Sequence, residues 1–232
     1  MLSLSFDDAR LTQTEAGIPL FRRYGVKATF YVSLDQVRKN LSTWREVVRA
    51  GHEIGNHSLR HAGSGNFKWS RDNPIENYTL ERMQDELRQA NREIRELLGV
   101  TSTTFAYPCG HKFVGRGLAT RSTVPLVAAM FAAGRGYMDE TFNVPGYCDP
   151  AQLFGIPSDG RSFKETRQLL QEELDAGGCI VFAGHEIGAE PGMTQVAFLE
   201  ELLTWAQDPA HPIWVNTVAN VATYLRQPPD QK

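Results

Sequence analysis

Short apolar runs alternate with amphipathic helical patterns along the whole chain, and this alternation limits the possible folds more than any other feature. Strands are expected at Leu2–Phe6, Ala28–Val32, Glu53–Asn56, Thr104–Tyr107, Cys179–Gly184 and Ile213–Asn216. Helices are expected over Thr14–Tyr24, Thr43–Ala50, Thr79–Leu98, Val124–Ala133, Phe163–Ala176, Gln195–Gln207 and Val218–Arg226. The strongest of these is Thr79–Leu98, where Leu80, Met83, Leu87, Ala90, Ile94 and Leu97 recur at spacings of three and four and Gly99 follows. Strands separated by helices imply βαβ units and a parallel sheet. Six or more such units without a low-complexity linker fit a closed or nearly closed barrel, so residues 1–232 are read as one α/β domain. Two stretches resist the pattern. Residues 62–78 read as a long loop, and residues 138–162 lack periodicity but have room for an irregular strand around Leu153–Ile156. Loops of this length in a compact domain are usually functional.

Composition narrows the class. In 232 residues, 41% are apolar and 22% charged, with a formal net charge of −3, which gives enough apolar material for a core and no electrostatic case for nucleic acid or an anionic membrane surface. No apolar run reaches the ~18–20 residues of a membrane span. Met1 leads directly into Leu2-Ser3-Leu4-Ser5-Phe6 and two acids without a signal-peptide pattern. The chain as given is therefore expected in the cytoplasm, or outside it if a leader has been removed. Three cysteines (Cys109, Cys148, Cys179) without C-x-x-C spacing make neither a disulfide scaffold nor a zinc ribbon. The sequence says nothing about oligomeric state.

In a parallel barrel the active site forms where the strands end at their carboxyl side. Four polar clusters fall there: Asp7-Asp8, His57-Ser58-Leu59-Arg60-His61, Pro108-Cys109-Gly110-His111 and His185-Glu186. Each has an ordinary explanation in isolation. An acid pair can cap a helix, surface histidines often lie four apart, and a lone cysteine or a histidine after a buried strand is usually packing. Their convergence on one rim is what points to chemistry. One carboxylate with two imidazoles forms a three-ligand divalent-metal site with positions left for water and substrate. A second carboxylate can take a proton from water, and a histidine across the site can protonate a leaving group. The inventory suits metal-assisted hydrolysis of an amide or ester.

With these residues in view, the sequence resembles the polysaccharide deacetylase family, carbohydrate esterase family 4, whose shared region is the NodB homology domain. Ser5-Phe6-Asp7-Asp8 resembles its first motif, T-F-D-D. His57-Ser58-Leu59-Arg60-His61 matches the second, H-[ST]-x-x-H. Ala106-Tyr107-Pro108-Cys109-Gly110 matches the third, R-x-P-Y-G, in part, and Ile180–His185 resembles the fifth, an apolar strand ending in His. The resemblance implies a distorted (β/α)₇ barrel that hydrolyses N- or O-acetyl groups on a carbohydrate. It implies that Asp8, His57 and His61 hold a divalent metal, commonly zinc, with cobalt or another divalent ion as alternatives. It assigns Asp7 as general base, His185 as general acid and the backbone N–H of Cys109 to the oxyanion.

The sequence departs from the family in two motifs. Ala106 stands where the third motif has the arginine that buttresses the base, and Arg135, between Gly134 and Gly136, is the candidate replacement. The fourth motif, D-x-x-D-W, has no clear match beyond Asp149. Tyr107, Phe67 and Trp69 are candidates for stacking on sugar rings. The expected partner is an acetylated carbohydrate, with no nucleic acid and no membrane. Two rival readings are an amidohydrolase of a small non-sugar amide or imide, and an inactive barrel that binds glycan. The intact set Asp7, Asp8, His57, His61 and His185 argues against the second.

Overall fold

The computed structural model describes residues 1–210 and 213–226. Seven parallel strands form one curled sheet: β1 (Leu2–Asp7), β2 (Thr29–Val32), β3 (Glu53–Asn56), β4 (Thr104–Ala106), β5 (Ala133–Arg135), β6 (Ile156–Pro157) and β7 (Ile180–Gly184). Their order in the sheet is β5-β4-β3-β2-β1-β7-β6. The two ends of this order meet through a single bridge, Arg135 with Leu153. There the Leu153 N–H donates to the Gly134 carbonyl and the Gly136 N–H to the Leu153 carbonyl, each at 2.8 Å. The result is a distorted (β/α)₇ barrel. Its helices are α1 (Ile18–Arg23), α2 (Leu34–Lys39), α3 (Leu41–Arg49), α4 (Leu80–Leu98), α5 (Val124–Met130), α6 (Phe163–Ala176), α7 (Val196–Ala206) and α8 (Val218–Leu225).

Alternation along β1 shows how the barrel sorts its residues. Leu2, Leu4 and Phe6 join the apolar layer between sheet and helices, with Phe21, Phe30, Phe182 and Leu199. Ser3, Ser5 and Asp7 take the opposite face, as a period of two requires. The interior is polar at its base, where Glu53 accepts from Thr29 Oγ1 at 2.8 Å, from Thr104 Oγ1 and from the Ala219 N–H at 2.9 Å. α4 carries its expected ends: the Thr79 side chain accepts from the Arg82 N–H, and Gly99 closes the helix at φ 73°.

Several boundaries differ from the sequence reading. The helix from Val124 stops at Met130, short of Ala133, because Ala133–Arg135 pairs with Thr104–Ala106 as β5. Ile213–Asn216 is not a regular strand, and only Val215 bridges to Leu2. α2 gave no sequence signal because it buries only Leu34 and Val37, too few positions to show a period. The helix expected from Thr14 begins as a π-helical turn over Gln13–Gly17 before α1. The loop 62–78 holds two 3₁₀ turns, Lys68–Ser70 and Ile75–Asn77. The irregular strand expected near Leu153–Ile156 is the Leu153 bridge followed by β6. Among the described residues no helix is long and apolar enough to cross a membrane.

Candidate active site

β1 delivers two carboxylates to one cavity because it ends between them. Asp7 is its last residue and is buried, and Asp8 follows at φ 73°, a left-handed turn that redirects the chain. Asp8 Oδ1 lies 3.8 Å from His57 Nε2 and 3.7 Å from His61 Nε2. The three donor atoms sit within 4.8 Å of one another. The two histidines reach one side of the site by a route other than a helical turn. Ser58 (φ 63°) and His61 (φ 49°) are both left-handed. The turn is pinned by Asn56 Oδ1, which accepts the Ser58 N–H at 2.7 Å, and by Ser58 Oγ, which accepts the His61 N–H at 2.9 Å. Asn56 in turn donates to the Leu87 carbonyl of α4 at 3.0 Å. Among the described residues, six non-glycine residues have positive φ: Asp8, Ala9, Ser58, His61, Cys109 and Met138. Four of them (Asp8, His61, Cys109 and Met138) line the cavity at the strand ends. Each such conformation costs on the order of 1–3 kcal/mol and persists only where the surroundings enforce it.

The donor set suits a divalent metal. His57 Nδ1 is 3.0 Å from the Ala106 carbonyl, a contact that a protonated Nδ1 donates, leaving the Nε2 lone pair toward Asp8. Burial, with His57 alongside, lowers His61 to about 4, so its imidazole is neutral near pH 7 and its lone pair is free. Burial works against the Asp8 charge, but His57, His61 and Arg10 outweigh it and bring Asp8 down to about 2. Bonds of ~2.1 Å at tetrahedral angles separate donors by about 3.4 Å. The observed 3.7–3.8 Å is near that spacing.

Asp7 belongs to a second set of contacts. Its Oδ1 accepts from Arg135 Nη2, and Arg135 is fully buried. Arg135 Nη1 donates to the Gly136 carbonyl at 2.8 Å, and the guanidinium lies over the Tyr31 ring at 4.9 Å. Gln13 Nε2 donates to the carbonyls of both Asp7 and His185 at 2.6 Å, tying the ends of β1 and β7 together. His185 Nδ1 meets Asp159 Oδ2 at 2.7 Å, and Asp159 Oδ1 accepts from the His185 N–H at 3.1 Å and from Thr194 Oγ1 at 2.7 Å. Burial opposes a charge on His185. The Asp159 hydrogen bond, with Asp7, Asp159 and Asp8 nearby, outweighs it and raises the pKa.

The cavity measures about 760 Å³, and its lining includes Asp7, Asp8, His57, His61, Cys109 and His185. Cys109 sits at φ 55°. Burial and the adjacent Asp8 and Asp7 push its thiol up to about 11, which keeps it protonated near neutral pH. Two expectations need correction. Tyr107 is no stacking surface: it is buried in the core against Phe105, and its hydroxyl donates to the Ala151 carbonyl at 2.7 Å. Alternation along β4 sends it outward, and Tyr137, which lines the cavity edge-on to His185 at 5.3 Å, is the tyrosine at the site. Asp149 caps the turn at Pro150–Gln152, accepting from the Ala151 N–H at 2.9 Å, and takes no part in the site. Asp159 was missed. The signal was present, because Ser158-Asp159-Gly160 follows a suspected strand as the other clusters follow theirs.

A family model described as "Polysaccharide deacetylase" matches residues 1–119. The chain is 34% identical over 82 residues to the peptidoglycan-N-acetylglucosamine deacetylase of Bacillus cereus, covering 35% of this chain and 37% of that protein. It is 31% identical over 96 residues to the uncharacterized protein YlxY of Bacillus subtilis, covering 41% and 27%. The matched segments thus span 27% and 37% of these relatives' own lengths. Among solved structures, one from Mycobacterium smegmatis described as a polysaccharide deacetylase superposes with a TM-score of 0.69 at 16% identity, covering 97% of this chain and 89% of that one. A carbohydrate esterase family 4 domain of a xylanase from the Trinervitermes trinervoides hindgut metagenome gives 0.58 at 19% identity, covering 98% and 92%. A pseudoenzyme of that esterase family from Bacillus anthracis gives 0.53 at 18%, covering 96% and 65%. At these identities the structures establish the fold alone.

Proposed function

Since the chain belongs to the polysaccharide deacetylase family, we propose that it is a metal-dependent hydrolase removing acetyl groups from a carbohydrate. The observation that carries this reading is the arrangement of the adjacent carboxylates: Asp8 Oδ1 lies 3.8 Å from His57 and 3.7 Å from His61, while Asp7 is held through Oδ1 by Arg135 and keeps Oδ2 3.9 Å from His57 at the edge of the same cluster. Asp8, His57 and His61 would hold the ion, zinc by preference for this donor set, and a bound ion supplies Lewis-acid polarisation and acidifies water. Asp7, oriented by Arg135, accepts the proton of the attacking water. The backbone N–H of Cys109 donates to the developing oxyanion, an interaction worth ~3 kcal/mol when preorganised. His185, whose pKa the Asp159 hydrogen bond raises, delivers a proton to the departing amine or alcohol. The protonated Cys109 thiol has no role in this scheme.

The test is metal content and acetate release on the same protein. Zinc-loaded wild type should release acetate from an acetylated glycan. His61→Ala leaves two protein donors and should lose both metal and turnover, by at least a hundredfold in kcat. Full metal occupancy with normal turnover in that variant excludes the assignment. Metal binding without acetate release from any acetylated glycan would instead place the chain among the family's inactive members.

A further inference from the structure

The two carboxylate oxygens of Asp8 have separate partners. Oδ1 is the oxygen near both imidazoles, and Ser33 Oγ donates to it at 3.3 Å. Oδ2 accepts from Arg10 Nη2 at 2.9 Å. Proton transfer and oxyanion binding give Arg10 no task. Yet this arginine touches the one carboxylate of the Asp8–His57–His61 cluster and lines the same cavity, as do Ser33, Phe67 and Trp69.

The backbone brings Arg10 back to Asp8. Asp8 and Ala9 are successive left-handed residues, at φ 73° and 53°, and Ala9 is buried. Such conformations persist only where the surroundings enforce them. Here the Asp8 N–H donates to the Tyr31 carbonyl at 2.9 Å, and the Arg10 carbonyl accepts from the Gln13 N–H at 3.2 Å. The guanidinium is braced from the end of β7. Its Nε lies 3.8 Å from Glu186 Oε1, Glu186 Oε2 accepts from Thr12 Oγ1, and that hydroxyl oxygen accepts the Ile187 N–H at 3.2 Å. The Arg10 side chain is 43% exposed, but that of Asp8 is only 15% exposed, so their contact is partly shielded from water.

An ionised carboxylate can offer a cation one oxygen or both. With both oxygens of Asp8, three residues would supply four donor atoms. Four protein donors make a closed structural zinc site, whereas a catalytic site has three and keeps a position open. A guanidinium on Oδ2 occupies that oxygen and repels a second cation from it. We propose that Arg10 is a positioning residue that restricts Asp8 to Oδ1, so that a coordination position stays open toward the cavity. This rests on the metal assignment within the deacetylase reading. Its signature is a pair of opposed effects. A neighbouring positive charge and a withheld donor both weaken metal binding, while the open position serves turnover. An arginine that only kept the loop in shape would act the other way, and its loss would weaken the metal.

The full-length protein tests this through zinc affinity, cobalt absorption and turnover. In competition with a chelator, Arg10→Ala should bind zinc roughly tenfold more tightly than wild type, the scale on which groups touching metal ligands act. Its kcat for acetate release should nevertheless fall about tenfold. Loaded with cobalt alone, the variant should absorb visible light more weakly, the mark of a higher coordination number. Arg10→Lys keeps a cation and a donor, and should restore the wild-type absorption and affinity. Glu186→Gln loosens only the brace, and should shift both in the direction of Arg10→Ala by a smaller factor. Zinc affinity that falls or stays equal in Arg10→Ala overturns this role and leaves the deacetylase reading in place. Tighter zinc with weakened cobalt absorption, in a protein whose zinc-loaded wild type releases no acetate, keeps the role and removes the deacetylase reading.

Discussion

Arg135 shows how a single residue can be moved between strands without losing its target. The third motif would bring an arginine in from β4, where Ala106 now stands. Here the guanidinium arrives from β5, across the barrel interior, and rests on Tyr31. A buried carboxylate without that partner keeps neither its rotamer nor a compensating charge. Arg135→Ala should therefore retain zinc, since Asp8, His57 and His61 are untouched, while kcat falls roughly 10–100-fold. Metal analysis beside steady-state kinetics reads both, and an unchanged kcat would free Asp7 from dependence on the arginine. This residue was open to sequence reasoning because a charged side chain flanked by two glycines after a helix has few ordinary uses. Tyr107 misled the same reasoning. An aromatic at the last position of an expected strand invites a surface role, but alternation along that strand turned it into the core.

At the scale of elements, what could be read depended on length and on end signals. α4 has five turns, a threonine cap and a terminal glycine, and it was legible almost to the residue. β5 and β6 have three and two residues and give no period to detect. Their effect on the site is disproportionate, because β5 ends at Arg135 and β6 leads into Asp159. Asp159 raises the pKa of His185, so the imidazolium survives to higher pH than an isolated histidine would allow. A general acid works only below its pKa, and raising that pKa extends activity on the alkaline side. Asp159→Asn removes the charge and should move the alkaline limb of kcat/KM toward lower pH, with zinc content unchanged. A pH–rate profile in which that limb stays in place would detach Asp159 from the proton transfer.

The whole molecule closes at one narrow seam. Between β5 and the segment entering β6, a Cβ on Gly134 would stand 2.2 Å from the Ala151 carbonyl oxygen and 2.8 Å from Val127. Gly134→Ala should cost about 1–3 kcal/mol by overpacking, measured as a lower urea midpoint with an unchanged slope. An unchanged midpoint would show that the seam is loose. The barrel as a whole was legible because its strands alternate with helices throughout; the seam was not, since it is made by two hydrogen bonds around Leu153. The position of β1 in the sheet has a further consequence, one that concerns synthesis. β1 precedes β2 and pairs with it soon after, but its other neighbour is β7, where Leu2 meets Ile180 and Phe6 meets Gly184. Until translation has passed residue 184, the strand that ends at Asp7 has one bare edge, with Leu2, Leu4 and Phe6 beside it. Such an edge is a template for pairing with other nascent chains, so slow or interrupted translation before residue 184 should make this protein prone to aggregate through β1.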